Sequence, residues 1–247
     1  MIRGLYTAAS GMIVENKRQE NIAQNISNIQ TPGFKQTFLA TTAAERGDVV
    51  NNRNPIGSLA MRVEVLESTI QLTQGPLQPT DNSLDFAIQG AGFFTVQGAN
   101  GEILHTRDGR FTIDEEGRLT TKEGFPVVVT NGEGVLQQVL VNEDMRVNRD
   151  GSFTINGQTF QFAIANLEDP NLMVQQGNGL YVYNGALEFM DQGFEVNQSM
   201  IEGSNVDALD ALVDMIATNR ALQTNSRVLT ALDETLKLAA TEIGRLT

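Results

Sequence analysis

The feature that most constrains the fold of this chain is a long helical pattern at its C-terminal end, residues 203–246. This stretch has no proline. Ser204 with Asp207 three residues later predicts the helix N-terminus, and Gly244 predicts its end. Between them, two rows of residues repeat at every seventh position, which is the pattern of a coiled-coil seam. The first row is Ala208, Met215, Leu222, Leu229, Leu236 and Ile243, and the second is Ala211, Thr218, Asn225, Leu232, Ala239 and Leu246.

A second apolar stripe lies on another side of the first half of this helix. Because a helix with two apolar sides needs more than one neighbour, this helix is expected to pack against at least two others. The stripe consists of Leu209, Leu212, Val213 and Ile216.

The N-terminal segment, residues 2–29, provides one such neighbour. It also lacks proline, and Pro32 with Gly33 predicts where the helix stops. Since the rest of the chain has the pattern of strands, we predict that the two terminal helices pair with each other as a coiled coil. The alternative is two separate surface helices on a globular core. The N-terminal rows are Leu5, Met12, Gln19 and Ile26, and Ala8, Glu15, Ile22 and Ile29.

The charge balance and the missing cysteines exclude several classes of protein. The formal net charge of −13 disfavours binding to nucleic acid or to an anionic membrane surface. Without cysteine the chain has neither disulfides nor a thiolate metal site. No stretch approaches the roughly 18 apolar residues of a membrane span, and the N-terminus lacks the apolar core of a cleaved signal peptide. We therefore predict no nucleic-acid partner, no membrane insertion and, if the protein is exported, a route that reads no cleaved signal.

Between the terminal helices the pattern changes to strands. Residues 36–80 are predicted to form a connecting segment, with turn residues over 47–58 and an alternating strand pattern over 61–72.

Residues 81–199 contain short apolar runs separated by Asn-Gly and Asp-Gly turns, which predict an inserted all-β domain. The fold class is therefore mixed, α and mainly β, and residues 1–35 with 200–247 form a terminal helical domain. The predicted strands are 86–88, 93–96, 103–106, 111–113, 127–129, 139–141, 153–155, 160–164 and 181–183.

No group of residues predicts an active site or a metal site. His105, the only histidine, falls inside a predicted strand, with neither a cysteine nor a second histidine to complete a site. The carboxylates of residues 114–116 lie in a predicted turn, and residues 90–92 (Gly-Ala-Gly) lead into a strand rather than the helix that a phosphate loop needs. Residues 144–151 resemble a calcium loop but have Arg146 at a ligand position. We therefore predict no enzyme activity, no cofactor and no metal; a carbohydrate-active enzyme, the alternative, needs paired carboxylates in a deep site.

Asparagine is frequent in both terminal helices although it is a poor helix former. One interpretation is that these helices are only marginally stable. The other is that they become ordered on assembly, with the amides bonding between subunits or facing a wet lumen, because an exposed two-sided hairpin aggregates as a monomer. The asparagines are Asn16, Asn21, Asn25, Asn28, Asn219 and Asn225.

Four blocks of the sequence have the form of family signatures. Residues 23–35 (AQNISNIQTPGFK) form an Asn-rich helix end followed by Thr-x-Gly-Phe-Lys, which is similar to the N-terminal signature of the family of bacterial flagellar rod and hook proteins. Residues 75–94 and 105–119 resemble its second and third blocks, with His105 where tyrosine is common, and residues 201–221 resemble its C-terminal signature. The motif residues are Thr31, Gly33, Phe34, Lys35, Arg107, Asp108, Gly109, Ser204, Asn205 and Val206.

The resemblance implies a structural subunit of the flagellar basal-body rod, located in the cell envelope outside the cytoplasmic membrane. Such a subunit is expected to leave the cell through the flagellar type III export apparatus and to polymerise helically, with paired terminal helices inside and β domains outside. Its expected partners are further copies of itself, other rod and hook subunits and the export apparatus.

The position in the proximal or distal rod stays open. The alternatives are a flagellar hook protein and, in a different class, a secreted monomeric β-domain adhesin or binding module. The residues expected at the assembly interface are Leu5, Met12, Ile22, Asn25, Ile26, Asn28, Leu209, Met215, Ile216, Leu222, Leu229, Leu232, Leu236 and Ile243.

Overall fold

The computed structural model of the protein describes the backbone of residues 2–51, 54–131, 135–142 and 145–245, and the side chains of residues 4–42, 68–131, 135–142 and 145–241. Of the predictions above, those for Asp144, for Leu246 and for the side chain of Ile243 lie outside the described residues.

Both ends of the chain are helical, as the sequence predicts: α1 is Ile2–Ser27 and α2 is Ala208–Arg245. After α1 the chain turns, and Thr31 N donates to Asn28 O at 3.1 Å. The predicted stop at Gly244 is wrong, because α2 includes this residue. A glycine inside a helix costs only about 1 kcal/mol relative to alanine, so it does not have to end one.

The start of α2 also differs from the prediction. Asp207, not Ser204, caps the helix: Asp207 Oδ1 accepts hydrogen bonds from Leu209 N at 2.7 Å and from Asp210 N at 3.2 Å. A carboxylate at this place satisfies amide groups of the first turn that have no partner within the helix. Ser204 Oγ instead accepts from Val206 N at 3.3 Å, before the helix begins.

The chain divides into two compact units, each made of segments that are distant in sequence. The helical unit comprises Met1–Ser27, Thr37–Thr69 and Asp207–Thr247, and it contains α1 and α2. The β unit comprises Asn28–Gln36 and Ile70–Val206. The mixed fold class, with two helices and a mainly β middle region, is thereby confirmed.

Two long strands, β1 (Thr37–Asn51) and β2 (Asn54–Ile70), form a two-stranded sheet. The prediction of a turn over residues 47–58 is therefore wrong for most of its length, and the strand predicted over 61–72 is part of the longer β2. Residues that favour turns do not prevent strand formation where a neighbouring strand supplies the ladder, because strand propensity depends strongly on context.

The described part of the β unit contains sixteen further strands and a short 3₁₀ helix, Pro170–Leu172. The strands are β3 (Leu77–Pro79), β4 (Phe86–Gly90), β5 (Phe93–Gln97), β6 (Ile103–Thr106), β7 (Thr112–Ile113), β8 (Leu119–Thr120), β9 (Val129–Asn131), β10 (Leu136–Gln137), β11 (Ser152–Ile155), β12 (Gln158–Phe162), β13 (Ile164–Asn166), β14 (Met173–Gly177), β15 (Leu180–Tyr183), β16 (Glu188–Phe189), β17 (Phe194–Gln198) and β18 (Met200–Glu202).

The strands of the β unit form antiparallel sheets around two apolar cores. The largest sheet has the order β14-β15-β6-β5-β13-β16, and a second has the order β10-β9-β12-β11. The remaining strands pair as β17-β4, β18-β3 and β7-β8. Successive side chains of a strand point to opposite faces, so Phe94 of β5 packs in the main core while its neighbour Phe93 packs in a smaller core with Tyr181.

Three predicted strands differ from the structure. Of the strand predicted over 127–129, only Val129 lies in a strand, β9, and Val127 forms an isolated bridge with Val96. Over residues 139–141, Val139 and Val141 are buried and Leu140 is exposed, as a strand requires, but Leu140 forms only an isolated bridge with Arg118. The predicted strand over 160–164 is two strands, because Phe162 pairs with β9 in one sheet and Ile164 pairs with β5 in the other.

Candidate assembly surface and buried motif cluster

The covered positions of α2 repeat at the predicted spacing. Ala211 and Thr218 are buried, and half-buried positions continue at steps of three or four residues to Ala239. Leu209 and Ile216, by contrast, are 70% and 55% exposed. The half-buried positions include Met215, Leu222, Leu229, Leu232 and Leu236.

On α1, the expected interface residues are covered to different degrees. Ile22 and Asn25 are buried, and Leu5, Met12 and Ile26 are half-buried. Asn28 follows the helix and belongs to the β unit.

The two helices of the helical unit contact each other, and two glycines of α1 lie at the contact. A methyl group built on Gly4 would lie 3.4 Å from Leu232 Cδ1, and one built on Gly11 would lie 3.2 Å from Asn225 Nδ2. From the first contact to the second, the position on α1 increases by seven residues and the position on α2 decreases by seven. The two helices therefore run antiparallel. The two glycines lie one position before the predicted row of α1.

The buried amide of Asn25 has its partners inside the chain. Asn25 Nδ2 donates to Thr37 O at 2.9 Å, and Asn25 Oδ1 accepts from Thr37 N at 3.1 Å. Asn21 Nδ2 donates to Thr37 Oγ1 at 2.7 Å. The side chain of Asn25 thus binds the first residue of β1 as another strand would.

The motif residues of the β unit surround a buried cluster of charges. Glu202 Oε1 accepts from Lys35 Nζ at 2.6 Å, and Glu202 Oε2 accepts from Arg107 Nη1 at 2.9 Å. All three side chains are at most 3% exposed. One carboxylate therefore pairs with two buried cations, and the three residues come from distant parts of the sequence.

Backbone carbonyls provide further acceptors for the two cations, although the buried Nε of Arg107 has no hydrogen-bond partner among the described residues. Lys35 Nζ also donates to Thr73 O at 2.8 Å, and Arg107 donates to Ile88 O at 3.2 Å and to Gly90 O at 2.7 Å. Burial lowers the pKa of both cations, and Glu202 opposes the shift in each case. The carbonyl oxygens are needed because a buried cation without hydrogen bonds is strongly destabilising.

Two aromatic side chains also contact the residues of the cluster. The guanidinium carbon of Arg107 lies 5.1 Å from the centre of the Phe93 ring, a cation–π contact. Tyr181 Oη accepts from Lys35 N at 3.1 Å, and burial raises the pKa of Tyr181 to about 12. The phenol is therefore neutral at physiological pH.

Asn205 binds two separate segments of the chain. Its Oδ1 accepts from Gln36 N at 2.7 Å, and its Nδ2 donates to Gln71 O at 3.0 Å and to Thr73 O at 3.1 Å. The amide can do this because its oxygen accepts hydrogen bonds while its nitrogen donates them.

The glycines of the motifs allow backbones to approach closely. Gly33 has a φ of +70°, its N donates to Glu202 O at 2.8 Å, and an added methyl group would overlap the backbone of Arg107 and Asp108. A methyl group on Gly109 would overlap Phe86 O. Both positions therefore require glycine.

The other motif residues stabilise the local turns. Thr31 Oγ1 donates to Asn28 Oδ1 at 3.1 Å, and Asp108 forms an ion pair of 2.6 Å with Arg110. Phe34 is fully buried. Together with Ser204 and Val206 described above, these residues shape the segments that carry the charge cluster.

The sequence did not predict the roles of Glu202 and Tyr181. Glu202 lies within the C-terminal signature. The only feature of the sequence that could have indicated its role is a carboxylate beside apolar residues. Tyr181 lies in a predicted strand and gave no signal of its contact with residue 35, because that contact spans 146 positions.

His105 lies in β6, as predicted, and is 1% exposed. Its Nδ1 has no hydrogen-bond partner among the described residues. Burial lowers the pKa of His105 to about 4, so the imidazole is neutral at physiological pH.

The stability of the β unit is expected to fall as the pH is lowered from about 7.5 to about 5. The unfolded chain takes up a proton on His105 near pH 6.5, whereas the folded chain does so only near pH 4. By linkage, this difference lowers the free energy of unfolding by about 2 kcal/mol over that range. Urea unfolding of the parent and of His105→Phe at both pH values measures this contribution. An unchanged pH dependence in His105→Phe would exclude the histidine as its source.

The described residues were compared with the requirements of a metal site and of a membrane-spanning helix. They contain no group of three or more histidine, aspartate or glutamate side chains placed to hold a metal ion. Neither described helix has a stretch long and apolar enough to cross a membrane.

Comparison with known proteins gives matches over most of the chain. Three family models match: "Flagella basal body rod protein" over residues 5–35, "Flagellar hook protein FlgE/F/G D1 domain" over 87–130, and "Flagellar basal body rod FlgEFG protein C-terminal" over 197–242. The three regions contain most of the motif residues described above.

Individual relatives cover nearly the full length. The chain is 32% identical to the flagellar basal-body rod protein FlgG of Agrobacterium fabrum, over 94% of this chain and 96% of that protein. It is 30% identical to FlgG of Buchnera aphidicola, over 96% and 98%, and 29% identical to the flagellar hook-basal body complex protein FlhO of Bacillus subtilis, over the whole of both. The motifs at both ends, the β unit between them and these full-length relatives agree that the chain belongs to the family of flagellar basal-body rod and hook proteins.

Proposed function

We propose that this protein is a structural subunit of the flagellar basal-body rod that polymerises helically through α1 and α2 into a hollow shaft. The observation that carries the proposal is the second apolar stripe of α2, which α1 leaves uncovered. Its four residues, Leu209, Leu212, Val213 and Ile216, are 50–70% exposed. Such a stripe on a helix that already has one partner is best explained by contact with helices of neighbouring copies.

The pairing of α1 with α2 supports the same proposal. Contacts at Gly4 and Gly11 recur with a seven-residue step, and the covered side of α2 follows the same period, as a coiled-coil contact does. We propose that this packing is a coiled coil, and that the predicted interface residues pack within and between subunits. Export through the flagellar type III apparatus and contacts with other rod and hook subunits are parts of this proposal that rest on the family resemblance.

Leu229→Asp is expected to abolish assembly while leaving the β unit folded. Leu229 is half-buried in the single chain, on the covered side of α2. Loss of a packed leucine costs about 2–5 kcal/mol per site, and a buried carboxylate without a partner adds to it. In a polymer this loss recurs at every subunit. Sedimentation velocity, negative-stain electron microscopy and a motility assay measure the effect.

Glu234→Gln is the matched control, since Glu234 is exposed on the same helix, and it should assemble like the parent. Normal rods formed by Leu229→Asp would show that this side of α2 is not an assembly contact.

A further inference from the structure

The chain passes between its two units four times, after Ser27, Gln36, Thr69 and Val206. Within the β unit, the residues next to these crossing points are hydrogen-bonded to one another. Gln71 N donates to Gln36 O at 2.8 Å, which joins the second crossing to the third.

Asn205 lies next to the fourth crossing and is hydrogen-bonded to residues next to the second and the third. Its side chain accepts from Gln36 N and donates to the carbonyl oxygens of Gln71 and Thr73. Its backbone N donates to Phe34 O at 3.4 Å.

The buried charges join the same segments. Lys35 binds Thr73 O and Glu202, while Glu202 also accepts from Gly75 N at 2.9 Å and, through its carbonyl, from Gly33 N at 2.8 Å. The segments that lead to α1, β1, β2 and α2 are therefore all held in one hydrogen-bonded network, which we call the boundary clasp: Lys35, Arg107, Glu202 and Asn205.

We infer that the boundary clasp is a conformational device that brings α1 and α2 together within a single subunit. Lys35 follows α1 and Glu202 precedes α2, yet they are 167 residues apart in sequence. If the clasp and the backbone bonds around it were released, the two helices would be joined only by this long loop, and their encounter would carry its closure entropy. With the clasp formed, they are held by two short connections and meet at a high effective concentration.

Ionic contacts suit this role better than apolar ones. A buried carboxylate facing two cations is tolerated only when all partners are in place, so the clasp is either complete or open. The inference concerns the single subunit and goes beyond the proposed polymerisation.

A cysteine pair can report helix pairing, because the natural chain has no cysteine. Gly11→Cys with Asn225→Cys places two thiols where α1 and α2 meet. The measured quantity is the rate of intramolecular disulfide formation in dilute full-length protein under mild oxidation. The test variant is Asn205→Leu, and the control is Asn197→Leu. Asn197 is also a half-buried asparagine of the β unit, and its side chain donates to Gln89.

Asn205→Leu is expected to slow the crosslinking roughly ten-fold, a coupling of ordinary size, and Asn197→Leu to leave it unchanged. Asn205→Asp, which keeps the acceptor for Gln36 N, should give an intermediate rate. Equal rates in Asn205→Leu and Asn197→Leu overturn the inference.

A variant of the apolar core distinguishes an effect on the positioning of the helices from an effect on the stability of the β unit. Val196→Ala weakens the main core of the β unit and changes none of the four clasp residues. At conditions that give both variants the same fraction of folded β unit, Asn205→Leu must still crosslink more slowly than Val196→Ala, and equal rates there also overturn the inference. A parent protein that crosslinks rapidly but never forms filaments refutes the proposed function and leaves the clasp intact.

Discussion

Replacing the buried carboxylate, Glu202→Gln, is expected to lower the free energy of unfolding of the β unit by about 3–5 kcal/mol. The amide has the same shape, but it leaves Lys35 and Arg107 buried with no anion between them. Both cations already have their pKa lowered by burial, and Glu202 is the group that opposes this shift. The variant therefore carries two positive charges in the interior with carbonyl oxygens as their remaining acceptors.

Urea unfolding followed by tyrosine emission measures the effect. The chain has three tyrosines, and adding Tyr6→Phe to both proteins leaves only Tyr181 and Tyr183, which report on the β unit. Glu195→Gln, at an exposed position of β17, is the control and should change the free energy by no more than about 0.5 kcal/mol. A Glu202→Gln protein as stable as this control would show that the carboxylate does not hold the cluster together.

Gly33→Ala is expected to be the second severe variant. Gly33 has a φ of +70°, which costs an L-residue about 1–2 kcal/mol. In addition, the new methyl group overlaps the backbone of Arg107 and Asp108, which cannot move without disturbing the charge cluster. We expect a total loss of about 2–5 kcal/mol, since a forced backbone shift in a packed region typically adds 1–3 kcal/mol.

Gly124→Ala separates the two contributions. Gly124 also has a positive φ, +87°, but nothing lies within 4 Å of an added methyl group. It should show the conformational cost alone. Urea unfolding of both variants gives the comparison, and equal losses would mean that the close approach at Gly33 contributes nothing.

The helices and the seam spacing could be predicted because their signal is local. A seven-residue period along α2 is visible in the sequence, and the covered positions from Ala211 to Ala239 follow it. Short-range chemistry was less reliable: both Ser204 and Asp207 are good caps, and only the structure shows that Asp207 Oδ1 binds the first turn.

The charge cluster could not be predicted, because it exists only in three dimensions. Lys35 and Glu202 are 167 positions apart, and Arg107 and Glu202 are 95 apart. Two of these residues were identified only as parts of a family motif. Nothing in a single sequence indicates that isolated charged residues in distant motifs are buried against one another.

The buried cluster also affects how copies of this protein repel one another. It removes two cations and one carboxylate from the surface, so of 17 basic and 30 acidic side chains it leaves 15 and 29, a formal charge of −14. Like charges between copies are screened over about 8–10 Å at physiological ionic strength and over roughly 30 Å at 0.01 M. The proposed association of copies of this chain is therefore expected to be opposed in dilute buffer and to become more favourable as salt is added.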